Sequence, residues 1–338
     1  MTGPLAKLHK VPSKCIRIIS GNVDGKVRNI TKLNMLIEQL APIPWSVLCL
    51  QEHHMKFSAD VAALVARLAG PGAHYIFTLG DGKKEGTLTI SKFPIKTELN
   101  NKYTSALGQQ GAWEKCTIIT PSGDLEIVNT YAPRDDSQRR DFFVNLPDLS
   151  DRAVHVGDHQ TTLDADLDRI GCSTEGGAGA LELEMHNTEN DMSDAFRHLH
   201  PNTPHYTWFP QNRSKGTYID RTFTSHFLLP SVKACFAADI SVRGPEPKDG
   251  KERVDLDLDH KFTVLDLELG DWTPSKSRNT WRGEMARDKG LMSQLGECVT
   301  SPGFREWIVC DSVARFAGWI LVEVVRVVGL VFQGHFVQ

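Results

Sequence analysis

The chain of 338 residues carries 38 lysines and arginines against 42 aspartates and glutamates, which gives a formal net charge of −4. Charged residues make up 24% and hydrophobic residues 40%, an ordinary composition for a folded protein that excludes wholesale disorder. The slight acidity creates no general field that attracts nucleic acid, so a polyanionic substrate must be held by local cations or bound metal ions.

The seven cysteines are odd in number and none forms a Cys-x-x-Cys pair. Several lie within apolar runs, as Cys49 does, which indicates buried, reduced thiols and an intracellular protein. Residues 1–13 contain no long apolar stretch, so a secretory signal is not expected. A nuclear location follows if the protein acts on genomic DNA, and no protein partner can be predicted.

Short apolar runs alternate with helical patterns through the first three-quarters of the chain. Between the first two runs, Val27–Leu40 has its apolar residues at helical spacing, and a second helix begins near Ser58 and ends at Gly70. The runs themselves predict strands, in chain order Ile16–Ser20, Val47–Leu50, Thr87–Ser91, Lys115–Thr120, Leu125–Thr130, Ala153–Val156 and Phe262–Leu269.

Two of these strands follow each other directly, across Pro121-Ser122-Gly123, which predicts a mixed rather than a purely parallel sheet. After Gly270 the chain becomes polar and proline-containing, so we predict one domain over residues 14–270. Residues 271–338 are read as a linker-like segment and an apolar tail. The most apolar part of that tail, Phe316–Phe332, contains Glu323 and Arg326, so stable membrane association is not expected.

Polar residues capable of catalysis stand at the ends of the predicted strands. They are Asn22, Glu52, Tyr131, Asp158 and the pair Asp259-His260. Each one alone is explained equally well as a turn former. Together they predict a cleft, because strand ends at one edge of a sheet converge.

An ordered set of motifs resembles a known family. The motifs are Asn22-Val23-Asp24-Gly25, Leu48-Cys49-Leu50-Gln51-Glu52, Asn129-Thr130-Tyr131-Ala132-Pro133, Val156-Gly157-Asp158, Tyr218-Ile219-Asp220-Arg221 and Asp259-His260. In this order they resemble the endonuclease/exonuclease/phosphatase superfamily. The narrower resemblance is to the apurinic-type endonuclease domains of LINE-like retrotransposons, and it is carried by Leu167-Asp168-Arg169, Tyr206-Thr207-Trp208 and Thr280-Trp281-Arg282.

The resemblance implies an α/β fold in which two mixed β-sheets pack as a sandwich with flanking helices, as in DNase I-like proteins. It also implies phosphodiester hydrolysis that depends on Mg²⁺ (or Mn²⁺), with DNA as the substrate and nicking as the outcome. Carboxylate oxygens suit such an ion. The expected metal ligands are Glu52, Asp24 and Asp259.

The same resemblance assigns the remaining site residues. Asp158 is the expected general base, beside the amides of Asn22 and Gln160. His260 and Tyr131 would neutralise charge on the phosphate, and Asp220 would orient His260 and raise its pKa. The residues expected to contact the DNA substrate are Arg134, Arg213, Tyr206 and Trp208.

The sequence departs from the family at two positions. Gly157-Asp158-His159-Gln160 stands where the family has Gly-Asp-Phe-Asn, and Leu258 stands where a serine commonly precedes the Asp-His pair. The extra methylene of Gln160 matters because a displacement near 1 Å can cost about a hundredfold in rate.

Two alternatives therefore stay open beside the DNA nuclease. One is an inositol-phosphate or sphingomyelin phosphodiesterase on the same fold. The other is a catalytically inactive domain that binds nucleic acid or protein. The alternation of Asp255, Asp257 and Asp259 also predicts that these three side chains share one face of a strand.

Overall fold

The structure is a computed structural model that describes residue 11 and residues 15–82, 85–96, 112–172, 177–210, 212–244 and 253–269. The chain divides into two units, Met1–Thr273 and Pro274–Gln338, and every described residue belongs to the first. The predicted domain boundary after residue 270 and the apolar tail lie outside the described residues, so both remain predictions. Within the described part, no helix is long and apolar enough to cross a membrane.

The first sheet has six strands in the order β13-β14-β1-β2-β4-β3. Strands β1 and β2 are parallel, and the other neighbours are antiparallel. Their bounds are β1 Cys15–Asn22, β2 Val47–Gln51, β3 His74–Phe77, β4 Thr87–Ser91, β13 Val232–Ala238 and β14 Phe262–Glu268.

The second sheet also has six strands, in the order β10-β12-β8-β7-β6-β5. Here β7 and β8 are the parallel pair. The bounds are β5 Ile95–Lys96, β6 Ala112–Thr120, β7 Gly123–Tyr131, β8 Ala153–Asp158, β10 Met192–Asp194 and β12 Asp220–Ser225. A separate two-stranded ribbon is formed by β9 Arg169–Ile170 and β11 Gly216–Thr217.

Five α-helices flank the sheets in the described residues: α1 Ile30–Leu40, α2 Ser58–Ala69, α3 Asp136–Val144, α4 Ala180–Glu189 and α5 Ala195–Leu199. The predicted helix over Val27–Leu40 is divided, because the Asn29 side chain accepts hydrogen bonds from the N–H groups of Thr31 and Lys32 and so starts α1 at Ile30. Residues Lys26–Arg28 form a short 3₁₀ turn before it.

The two sheets face each other across an apolar layer. Ile18 and Cys49 of the first sheet meet Ile127 and Val156 of the second in one cluster. The opposite face of the first sheet is covered by α1 and α2, and that of the second sheet by α3 and α4. Both faces of the central strands are therefore buried, which explains why their sequences are mainly apolar. The predicted sandwich is confirmed.

The prediction of buried, reduced cysteines agrees with the described residues. Five cysteines there are free, and all but Cys172 are buried. Burial raises the pKa of the Cys49 thiol to about 12, so it stays protonated and unreactive.

The predicted strand carrying Asp255, Asp257 and Asp259 is wrong. The segment makes only an isolated bridge, between Val242 and Leu256. The Asp255 carboxylate accepts a hydrogen bond from the Gly244 N–H at 2.9 Å, and such side-chain bonds compete with a regular ladder. The alternation itself persists, since Leu256 and Leu258 point into the core.

A buried polar network joins the sheets behind the strand ends. Gln51 donates from Nε2 to Asn129 Oδ1 at 2.6 Å, and Asn129 donates from Nδ2 to Glu114 Oε1 at 3.1 Å. Burial raises the pKa of Glu114 to about 8, which keeps this carboxyl protonated at neutral pH. The network holds β2 against β7 and so fixes how the two sheets present their ends.

Strand direction brings the polar residues to one edge. Strands β1, β2, β7 and β8 all end there. Strand β12 begins there, because Asp220 is the register partner of Asp158. Strand β14 also begins there, since Thr263 pairs with Ser20 near the end of β1.

Candidate active site

Asn22 links the two sheets at this edge. Its Nδ2 donates to Glu52 Oε1 and to Asp158 Oδ2, both at 2.9 Å. Its side-chain oxygen accepts the N–H of Asp24 at 2.9 Å. One buried amide therefore fixes two carboxylates from different sheets and the loop that carries a third.

The first group of ionisable residues is the Glu52 cluster, formed by Asp24, Glu52 and His54. One ligand atom from each residue lies within 4.8 Å of the others. Two cations pair with the carboxylates: Lys26 Nζ lies 2.7 Å from Asp24 Oδ2, and Arg134 Nη2 lies 2.9 Å from Glu52 Oε1.

Glu52 is kept ionised despite its burial. Burial alone would raise the pKa of its carboxyl, but hydrogen bonds from His54 and Asn22 and the charge of Arg134 lower it to about 2. Two carboxylates and an adjacent amide suit a hard divalent cation. The residues of the Glu52 cluster therefore fit the metal that the family pattern implies.

The second group is the Asp158 cluster, formed by Asp158, Asp220 and His260. His260 Nδ1 lies 2.9 Å from Asp220 Oδ1, and its Nε2 lies 3.9 Å from Asp158 Oδ2. All three side chains are buried. The imidazole is thus fixed through one nitrogen and presents the other to the general-base candidate.

The pKa values of Asp158 and His260 are both raised above their usual range. Burial and the neighbouring Asp220 carboxylate raise the pKa of Asp158, against the lowering effect of His260 and Asn22. Burial alone would lower the pKa of His260, but Asp220 and Asp158 raise it well above its usual range. The imidazole is therefore cationic at neutral pH and can donate to a phosphate oxygen.

Tyr131 ends β7 as the register partner of Asp158. Burial, followed by the charges of Glu52 and Asp158, raises the pKa of its phenol, so it remains a hydrogen-bond donor. The adjacent strand needs glycine at position 157: its φ is +139°, and a Cβ there would lie 1.9 Å from the Thr130 carbonyl oxygen. Gly157 therefore allows the close approach that sets Asp158 beside Tyr131.

Gln160 contacts Asp158, the general-base candidate, directly. Its backbone lies in the left-handed region at φ 51°, and its Nε2 donates to Asp158 Oδ2 at 2.7 Å. Oδ2 is the same oxygen that accepts from Asn22. The amide of Gln160 is therefore engaged with Asp158.

His159 occupies an aromatic setting. It stacks on Phe143 at 6.3 Å and meets Phe223 edge-on at 5.3 Å between ring centroids. Burial lowers the pKa of His159 to about 3, so the ring is neutral. This explains physically how a histidine can stand where the family has phenylalanine.

The structure brings together nine of the predicted site residues: Asn22, Asp24, Glu52, Tyr131, Arg134, Asp158, Gln160, Asp220 and His260.

The other four predicted residues belong to neither cluster, although Trp208 forms an isolated backbone bridge with His260. Asp259 accepts a hydrogen bond from Trp208 Nε1 at 3.1 Å, so the indole is held against a carboxylate. Tyr206 packs edge-on against Phe209. Arg213 lies 3.5 Å from Asp239. In none of these described contacts does Tyr206 or Arg213 meet either cluster.

Two features of the site were not found from the sequence. His54, at hydrogen-bond distance from Glu52, could have been noticed from its spacing of two residues after that carboxylate. The other is a buried ion-pair network in which Asp168 binds Arg197 and Arg221, and Arg221 also binds Asp194. Because Arg221 follows Asp220, this network anchors the strand end that carries the histidine's partner. No pattern in the sequence pairs residues 168 and 221.

Fold and site together are those of a hydrolase that acts on phosphate esters. Residues 19–239 match the sequence model of the Endonuclease/Exonuclease/phosphatase family, and the chain belongs to this family. The predicted superfamily is thereby confirmed, and with it the prediction that the chain belongs to a family of phosphodiesterase and nuclease enzymes.

Three solved structures share the fold at low sequence identity. The AP endonuclease LMAP from Leishmania major has a TM-score of 0.52 and 17% identity, covering 76% of this chain and 88% of that one. The 3′ phosphatase NExo from Neisseria, bound to a product DNA hairpin, has a TM-score of 0.51 and 17% identity, covering 76% and 100%. The endonuclease domain of TRAS1, a telomere-specific non-LTR retrotransposon, has a TM-score of 0.50 and 13% identity, covering 75% and 99%.

Proposed function

We propose that this protein is a DNA endonuclease of the retrotransposon type that nicks DNA with the help of Mg²⁺ or Mn²⁺. The observation that carries the proposal is the double hydrogen bond of Asn22 to Glu52 and Asp158. It fixes a metal-binding carboxylate and a general base at one edge, which is the geometry that hydrolysis of a phosphodiester needs.

The chain's own residues have complementary tasks in this proposal. Asp158 takes a proton from the attacking water, and its raised pKa keeps it a competent base near neutral pH. His260, oriented by Asp220, donates from Nε2 to a phosphate oxygen as negative charge develops there. Tyr131 supplies a second donor. A divalent ion held by Glu52 and Asp24 would supply Lewis-acid stabilisation of the phosphate.

Several features favour DNA as the partner. The Arg134 side chain is 57% exposed while it contacts Glu52, so one of its faces is accessible to a substrate phosphate beside the metal position. The relatives named above include a phosphatase bound to a DNA hairpin and a retrotransposon endonuclease domain. An intracellular and, for genomic DNA, nuclear location belongs to the same proposal.

Incubation with supercoiled plasmid tests the proposal. We expect conversion to the nicked form with MgCl₂ or MnCl₂, none with EDTA, and none from Glu52→Gln or Asp158→Asn. A duplex with an abasic site and one with a 3′ phosphate would be tested in parallel to define the substrate. Divalent-ion binding without cleavage of any DNA would favour the inactive binding domain. Cleavage of sphingomyelin or an inositol phosphate but not DNA would favour the other phosphodiesterases.

A further inference from the structure

His54 is directed into the Glu52 cluster. Its Nε2 lies 3.1 Å from Glu52 Oε2, and together with an Asp24 oxygen these atoms fall within 4.8 Å of one another. The preceding histidine points elsewhere, since His53 Nε2 lies 3.0 Å from the Thr78 carbonyl oxygen. The loop therefore sends His54, and not His53, to the carboxylates.

The backbone is strained to achieve this. Glu52 has φ 52° and His54 has φ 58°, both in the left-handed region that residues other than glycine seldom adopt. Two such residues within one short segment store free energy, and strain of this kind concentrates at functional sites. The strain at both positions places the Glu52 carboxylate and the His54 imidazole side by side.

A glycine makes room for the imidazole ring. Gly25 has φ 62°, and a Cβ at that position would lie 2.2 Å from His54 Nδ1. With Nδ1 packed against the Gly25 backbone, Nε2 is the nitrogen that remains directed at Glu52. The loop that carries Asp24 and the loop that carries His54 are thus fitted to each other around one ring.

We infer that His54 is a nitrogen ligand of the divalent ion and biases the Glu52 cluster toward Mn²⁺ over Mg²⁺. Mg²⁺ binds oxygen ligands and loses its water reluctantly, whereas imidazole is a good ligand for first-row transition metals. A site of two carboxylates and one imidazole therefore discriminates between the two ions more than a site of carboxylates alone. This inference rests on the proposed function, because it assumes that the Glu52 cluster binds the metal.

Electron spin resonance of Mn²⁺ bound to the full-length protein tests the inference without any activity assay. We expect coupling to one ¹⁴N nucleus in the wild type and its loss in His54→Gln, which keeps a hydrogen-bond donor but removes the imidazole. His226→Gln is the matched control, because His226 is 53% exposed and pairs with Asp191, and it should keep the coupling.

Calorimetry supplies the second readout. The affinity for Mn²⁺ should fall about tenfold in His54→Gln, while that for Mg²⁺ changes by less than about twofold. Mn²⁺ bound to the wild type without nitrogen coupling would overturn the inference and leave the proposed function intact. The same holds if the coupling persists in His54→Gln, which would place the nitrogen on another residue. Failure of the wild type to bind either ion would overturn both.

Discussion

The Glu52 cluster and the Asp158 cluster contain the same chemical groups, two carboxylates and one imidazole, yet the pKa of Glu52 is lowered and that of Asp158 is raised. Hydrogen bonds and Arg134 lower the pKa of Glu52 to about 2 against the effect of burial. Burial and Asp220 raise the pKa of Asp158. Asn22 contacts both carboxylates, so the difference arises from their other neighbours.

The opposite pKa shifts of Glu52 and Asp158 suit the two clusters to different tasks. A carboxylate that is ionised at every physiological pH can hold a cation but is a poor proton acceptor. A carboxylate with a raised pKa accepts a proton efficiently near neutral pH. Environments that push the pKa values of neighbouring groups apart identify the acid and base assignments of a site. These opposite pKa shifts support the proposal that the first cluster binds the metal ion and the second transfers the proton.

The largest effect is expected from removing the anionic charge of the Glu52 cluster. Glu52→Gln should lower DNA nicking by about a thousandfold or more, because the ion that stabilises the phosphate loses its buried carboxylate. Calorimetry should show that Mg²⁺ binding is lost. Glu184→Gln, an exposed change on α4, is the control. Equal Mg²⁺ affinity in Glu52→Gln and wild type would remove Glu52 from the metal site.

A smaller effect is expected from the Asp158 cluster. Asp220→Asn should reduce turnover by about a hundredfold, since His260 loses the anion that orients it and keeps it cationic. NMR titration should give a lower pKa for His260 in the variant, because Asp220 raises that pKa.

The pH profile of the same variant has a defined sign. The rate requires ionised Asp158 and so falls as pH decreases through its pKa. Because Asp220 also raises the pKa of Asp158, the acid limb of the profile should move to lower pH in Asp220→Asn. If the pKa of His260 and the acid limb of the profile are both unchanged in Asp220→Asn, Asp220 is not coupled to His260 or to Asp158.

Gln160→Asn tests the departure nearest the base. The Gln160 amide is engaged with Asp158 Oδ2, and a side chain one methylene shorter would release that oxygen for the attacking water. Nicking of plasmid should rise by about one to two orders of magnitude, the size expected for correcting a small misplacement. Gln160→Leu, which lacks an amide, separates release of Asp158 from a gain by the new amide. If Gln160→Asn is no more active than wild type while Mg²⁺ still binds, Gln160 is not the cause of low activity, and the catalytically inactive binding domain gains support.

Glu114 extends the comparison to a carboxyl outside both clusters. Its raised pKa of about 8 means that its contribution to stability is full below the unfolded value near 4.5 and is lost as pH rises toward 8. Glu114→Gln should therefore increase the free energy of unfolding more at pH 8 than at pH 4.5, because the glutamine amide does not titrate and has no buried charge to desolvate. Denaturant unfolding at pH 4.5 and pH 8 measures this. A gain of equal size at both pH values would show that the carboxyl is not titrating.

Much of the fold followed from local pattern. The buried strands are mainly apolar because both of their faces are covered, so Val47–Leu50 and Ala153–Val156 were recognisable without any partner. The segment Val27–Leu40 shows the limit of that approach. Its apolar spacing is continuous, but the Asn29 side chain caps the helix and starts it three residues later than the apolar pattern suggests. The strand predicted over Asp255–Asp259 was wrong for a related reason, because a hydrogen bond to the Asp255 side chain takes the place of regular pairing between strands.

The sequence by itself determined which chemical groups the site contains, because strand ends and the ordered family motifs mark Asn22, Glu52, Tyr131, Asp158 and His260 in any reading of the chain. Only the tertiary structure decided the surroundings, and with them the protonation, of each group. The pKa of a carboxyl depends on its burial and on charges within a few ångströms, and those neighbours come from distant parts of the chain. Asp220 lies 62 positions after Asp158, Arg134 lies 82 after Glu52, and the His54 ring depends on a glycine 29 positions earlier. Folding brings these residues together, and this lowers the pKa of one carboxyl and raises that of the other.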